Sequence, residues 1–153
     1  MKTRYLFPHR FKLLGWLLLL PSSLVGLLMS FDYQIFSVDA TVFALYNDGI
    51  EPAKVFTFIE NSIVDEIIAV LVIVGGILAA FSQEKQEDEY IAKIRLESLL
   101  WATYINYGLL LFSILFVYGL GFYQIMIFHM FTVLFIFLIR FNFILYRTSK
   151  AMA

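Results

Sequence analysis

Four apolar runs, Leu13 to Phe31, Ile63 to Phe81, Leu99 to Tyr118 and Tyr123 to Leu145, alternate with polar stretches along this chain. A helix crossing a hydrocarbon core about 30 Å thick needs roughly 20 mostly apolar residues. The pattern therefore predicts an all-α, integral membrane four-helix bundle, with residues 1–153 forming a single membrane domain. Between the runs lie an external loop over residues 32–61, a cytoplasmic loop over 82–98, and a tight hairpin at "GLGF". The second run contains "VGGILAA", in which Gly75 with Ala79 and Gly76 with Ala80 form small-xxx-small pairs suited to close helix packing, within the bundle or across a homodimer.

The polar segment "SQEKQEDEYIAKIRLES", Ser82 to Ser98, holds eight of the chain's 23 Asp, Glu, Lys and Arg residues. Nothing from Gln86 to Leu99 breaks a helix, Glu89 stands four residues before Lys93, and Lys93 four before Glu97, so opposite charges stack along one face. The acidic start at Glu87, Asp88 and Glu89 suits the positive end of a helix dipole. The third span is thus expected to extend several turns into the cytoplasm. That stem is either a solvated helix or a docking surface for a partner through Glu87, Asp88, Glu89 and Arg95.

The external stretch carries Asp32, Asp39, Asp48, Glu51 and Glu60 against Lys54, and also Phe36, Val38, Val42, Phe43, Leu45 and Tyr46. So many apolar residues argue against a freely solvated linker, and "NDGIEP" at Asn47 to Pro52 is a turn signal. The expectation is an interfacial helix joining two spans, with an ordered functional loop as the alternative.

Composition agrees with a membrane protein. The chain is 61% hydrophobic, with 17 Phe, 9 Tyr and 2 Trp, and its mean hydropathy is +0.85. The absence of cysteine excludes disulfides, thiolate metal sites and cysteine nucleophiles. The net charge of -1 says little, but its distribution gives orientation. Lys2, Arg4, Arg10 and Lys12 precede the first span, Lys85, Lys93 and Arg95 follow the second, and Arg140, Arg147 and Lys150 accompany the end of the fourth. Only Lys54 falls on the other side. Because basic residues near span ends stay cytoplasmic, both termini are assigned to the inside of a bacterial cytoplasmic membrane. A cleaved signal peptide fits less well, since the first apolar run is longer than an h-region of about 7–15 residues and no A-x-A site follows closely. Pro21 is a kink candidate there, with Ser22 and Ser23 able to satisfy freed backbone groups.

Polar groups inside spans cost roughly 2.5–3.5 kcal/mol at the helix centre and mark candidate sites. Arg140 and Glu97 are placed at matching depth and are expected to form a structural ion pair between the third and fourth helices. His129, about 9 Å into the fourth span, could join Asp65 or Glu66 in a protonatable outer cluster. Asn106 and Asn142 add hydrogen-bonding capacity.

Enzyme chemistry finds little support. His9 and His129 are the only histidines, and the H-E-x-x-H, G-x-S-x-G and E-x-x-H signatures are absent. No basic patch suits nucleic acid, no metal or cofactor is implied, and no intramembrane lysine offers a Schiff base to retinal.

"EDEYIAKIRLESLLWATYINY" and "IRFNFILYRTSK" resemble the pattern of small uncharacterised four-span bacterial inner-membrane proteins, in which Glu-Asp-Glu precedes Ile-Arg and the last helix ends in Arg-Phe-Asn and Tyr-Arg. The likeness covers the chain from Ser82 onward, at Glu87, Asp88, Glu89, Arg95, Trp101, Asn106, Arg140 and Asn142. Similar proteins occur beside small helix-turn-helix regulators, which implies a sensing or regulatory association and no particular chemistry. The sequence thus points to a non-enzymatic membrane component whose partners are the lipid bilayer, a cytoplasmic or membrane protein, or a second copy of itself. A small transporter or proton-linked carrier is the alternative.

Overall fold

In the computed structural model, which describes residues 5–31, 38–47 and 54–152, four helices and one β-hairpin follow one another. They are α1 (Arg10–Phe31), β1 (Asp39–Asn47), β2 (Lys54–Ser62), α2 (Val64–Ala80), α3 (Glu89–Phe116) and α4 (Leu120–Met152). Three of the helices, α1, α3 and residues 120–148 of α4, are long and apolar enough to cross a membrane. The fourth, α2, has 17 residues.

The helices pack in the order α1, α2, α4, α3, with α2 touching both α1 and α4. Small residues let α1 and α2 approach closely. A Cβ placed on Gly15 would come within 2.8 Å of the Gly75 carbonyl oxygen and 2.9 Å of Ala79 Cα, and one on Gly75 within 2.7 Å of the Leu19 nitrogen. On the neighbouring face of α2, Gly76 receives the side chain of Leu134 from α4. Beneath it the rings of Phe81, Phe137 and Phe141 stack in succession at 5.7 and 5.6 Å. This core is small; most large apolar side chains of α1, α3 and α4 face outward, far beyond what a soluble monomer exposes.

Pro21 sits inside α1 without ending it. The hydroxyl of Ser22 donates to the Leu18 carbonyl at 2.6 Å and that of Ser23 to the Leu20 carbonyl at 3.0 Å, in the turn that holds the proline. The α3–α4 turn needs Gly119, which has φ +73°, a conformation a side chain would disfavour.

The stretch between the first two apolar runs departs from the expected interfacial helix. Residues 39–47 and 54–62 form an antiparallel pair running from Asp39 opposite Ser62 to Asn47 opposite Lys54. "DATVFALYN" and "KVFTFIENS" are rich in β-branched and aromatic residues, which fit a pleated surface better than a helix. Asp48–Ala53, most of the predicted turn, lies outside the described residues. Phe56 departs from strand geometry with φ +53°, strained for an aromatic residue, and the register continues unchanged on either side of it.

Candidate functional site

The charged segment folds onto one end of three helices, where α1 and α3 begin and α2 ends. The chain leaving α2 runs beside residues preceding α1: Phe7 and Ser82 form a parallel bridge. The amide of Phe7 donates to the Phe81 carbonyl at 2.9 Å, and that of Gln83 to the Phe7 carbonyl at 2.8 Å. His9 Nδ1 donates to the Gln83 carbonyl at 2.8 Å, which fixes the proton on that nitrogen because a carbonyl can only accept. Lys12 pairs with Glu84.

From this corner Glu87 reaches α3. Arg95 donates from Nη1 to Glu87 Oε1 at 2.6 Å, and from Nη2 to Glu87 Oε2 at 3.2 Å and to the Ser82 carbonyl at 3.3 Å. The amide of Glu84 donates to Glu87 Oε2 at 2.9 Å, and the Arg95 guanidinium lies 5.0 Å from the Phe141 ring of α4. One bidentate pair, sheltered from water, therefore ties the α2–α3 connection to α3 and α4. Asp88 caps α3 by accepting from the Ile91 amide at 2.8 Å.

This arrangement revises the docking stem. Glu87 and Arg95 are spent on each other and Asp88 on the helix end, so three of the four candidate docking charges serve the fold. Glu89 opens α3 and is exposed. Ten residues of helix precede the apolar run at Leu99, and along them Lys93 meets Glu97 at 4.0 Å with both side chains well exposed.

The anticipated Arg140–Glu97 pair does not form within the chain. Arg140 lies over the ring of Trp101 at 5.2 Å, one turn beyond Glu97 on α3, and its Nε is enclosed without a hydrogen-bond partner. An aromatic face has taken the cation that the sequence assigns to a carboxylate.

At the opposite ends of the helices, Glu66 accepts from Asn61 Nδ2 at 2.8 Å, and Asp65 shares the exposed first turn of α2. His129 has an enclosed Nε2 with no hydrogen-bond partner, so the structure does not join the histidine to either carboxylate. Among the described residues no group of three His, Asp or Glu side chains could hold a metal ion.

Sequence reasoning passed over two features. The buried face of α3 is largely polar or small: Arg95, Ser98, Ala102, Asn106 and Ser113. Arg95 to Ser113 rises about 27 Å at 1.5 Å per residue, and Ser98 Oγ and Asn106 Oδ1 have no hydrogen-bond partner. The spacing of these residues was readable, but their direction relative to α4 was not. The other feature is the hairpin surface, where Phe43 lies 5.3 Å from Phe58 and 6.3 Å from Phe56, and all three rings are exposed. An open cleft of about 530 Å³ lies beside the Phe7–Ser82 corner, lined by His9, Lys12, Lys85, Asn142 and Tyr146 among others.

No protein-family model matches the sequence, and neither a curated protein nor a solved structure matches it.

Proposed function

We propose that the chain is a four-span protein of the bacterial cytoplasmic membrane, with both ends inside, acting as a non-enzymatic sensing or regulatory component through a partner met by its external hairpin. The outward apolar surfaces of α1, α3 and α4 support the membrane assignment. With 17 residues, α2 rises about 25 Å, enough for a short fourth span held against α1. The start of α1, the end of α2, the start of α3 and the end of α4 lie together, as the Phe7–Ser82 bridge and the Tyr90–Thr148 contact require. That end gathers Arg10, Lys12, Lys85, Lys93, Arg95, Arg147 and Lys150, as expected of a cytoplasmic face. The likeness of residues from Ser82 onward to small bacterial four-span proteins points the same way.

The observation that carries the partner reading is the hairpin itself. A two-stranded sheet alone is marginal in water. This one exposes Phe43, Leu45, Phe56 and Phe58 on one face and Tyr46 and Val55 on the other, with no helix packed extensively against it. A partner protein would cover those rings. Photo-crosslinking residues at Phe43 and Phe58 in intact cells are expected to yield a discrete protein adduct, and replacing both by serine should abolish capture from a neighbouring position. Adducts to lipid alone would sink this reading.

The enclosed His129 of α4, together with the polar face of α3, favours a proton-linked carrier as the second reading. Under it, His129→Phe should lower pH-driven flux into vesicles at least tenfold while folding is retained. Equal flux in the variant, or none above protein-free vesicles in the wild type, would remove it.

A further inference from the structure

Two opposite charges on the α3–α4 surface lack a strong partner. Arg140 has no carboxylate among its contacts and rests on Trp101. Glu97 has a side chain 50% exposed and only Lys93, at 4.0 Å, beside it. Arg140 lies within the apolar run of α4, where charge is costly to leave unpaired in a membrane, and Glu97 stands two residues before the apolar run of α3.

Their depths match. α3 and α4 run antiparallel, with Tyr90 Oη 3.5 Å from Thr148 Oγ1 and Arg95 over Phe141. Counting inward from those two contacts sets Glu97 opposite the α4 backbone between residues 139 and 141, which brackets Arg140. They also share a surface. Glu97 and Trp101 are four residues apart and so lie on one face of α3, and the guanidinium of Arg140 covers the Trp101 ring. Leu100 and Tyr104 continue the same exposed apolar strip.

We infer that this strip is the interface of a homodimer, in which Glu97 of each copy meets Arg140 of the other. A two-fold axis along the membrane normal preserves depth, and an isologous contact forms every pair twice. Within one chain the Trp101 ring occupies the face of the guanidinium; a second copy supplies the carboxylate from the open side. The same strip offers aromatic and leucine side chains for packing, which drives helix association where water does not.

The inference rests on the membrane reading, and the two fail separately: recovery of the chain in the soluble fraction would overturn that reading, whereas a membrane-embedded monomer overturns only the dimer. The chain has no cysteine, so Glu97→Cys and Arg140→Cys copies can be purified apart, mixed in vesicles and treated with a bifunctional thiol reagent. A linked dimer is expected from the mixture, in higher yield than from either variant alone. In parallel, Glu97→Arg and Arg140→Glu should each raise the dimer dissociation constant at least tenfold, and the double reversal should restore it to within a few-fold. Melting in detergent identifies folded variants. A wild type that stays monomeric in vesicles, single reversals that dimerise normally, or a folded double reversal that does not recover would each overturn the inference. If the reversals misfold, the cysteine mixture decides, and absence of linkage there overturns it equally.

Discussion

Gly15→Leu is expected to separate α1 from α2 and destabilise the folded chain by about 3 kcal/mol or more, the upper range for overpacking a closed interior. The reason is what a side chain would strike. The Gly75 carbonyl oxygen and Ala79 Cα lie at 2.8 and 2.9 Å from the position of a Cβ, and the Ala79 amide nitrogen is also in the way. All three are backbone atoms, so no rotamer change makes room and the helices must move apart. Gly76→Ala is a graded comparison, because its obstacle is the Leu134 side chain, which can shift. Gly108→Ala is the control: nothing lies within 4 Å of its Cβ position, and alanine favours helix by about 0.5–1 kcal/mol over glycine. Thermal unfolding in detergent should order the variants as Gly15→Leu far below Gly76→Ala, with Gly108→Ala at or above wild type. If Gly15→Leu melts with the wild type, the close α1–α2 approach is not a feature of the protein.

The second large effect concerns the clamp on α3. Glu87→Gln should cost about 3–5 kcal/mol, the range for removing one partner of a buried ion pair. The Arg95 side chain is only 9% exposed and that of Glu87 19%. Glutamine keeps only one accepting oxygen and turns an NH2 donor toward the Arg95 donors, while the guanidinium keeps its full charge in a place water hardly reaches. The contrasting variant removes both charges. Glu87→Leu with Arg95→Met should recover most of the loss, because replacing a buried pair by apolar side chains of similar volume is often neutral. Unfolding of Glu87→Leu, Arg95→Met and the double variant in mixed detergent would reveal the coupling. Additive losses would mean that the two groups do not act as a pair.

The helices were legible because continuous apolar runs of this length have few alternatives. Spans expected at 13–31, 63–81, 99–118 and 123–145 lie on helices at Arg10–Phe31, Val64–Ala80, Glu89–Phe116 and Leu120–Met152. The helical stem before the third run was equally plain from its unbroken i,i+4 charges. The hairpin was not. Strands announce themselves by alternation, and here both faces are apolar: Phe43 and Phe58 on one, Val42 and Ile59 on the other. The polarity pattern therefore showed no period of two, and only the aromatic and β-branched content pointed to strand.

The candidate site was legible by residue type more than by pairing. Arg95 and Glu87 stood out as charges, but their union depends on the irregular turn of residues 81–88, which no helical period describes. Arg140 was read as needing a carboxylate because charge alone was counted. The structure gives it the Trp101 ring, and cation–π attraction has no short-range signature in a sequence. The pairings of Phe7 with Ser82 and of Lys12 with Glu84 were not legible because the partners are more than 70 residues apart.

Between the last strand residue, Ser62, and the first helical residue, Val64, stands Ile63 alone. Its amide donates to the Val38 carbonyl at the base of the hairpin, and its carbonyl accepts from the Ile67 amide in the first turn of α2. That joint has no slack. The hairpin base and α2 are joined directly through Ile63, and the far end of α2, at Phe81, Ser82 and Gln83, is hydrogen-bonded to Phe7 before α1 and to Arg95 of α3. The base of the hairpin and the Glu87–Arg95 clamp are thus linked along one continuous path through the backbone of α2.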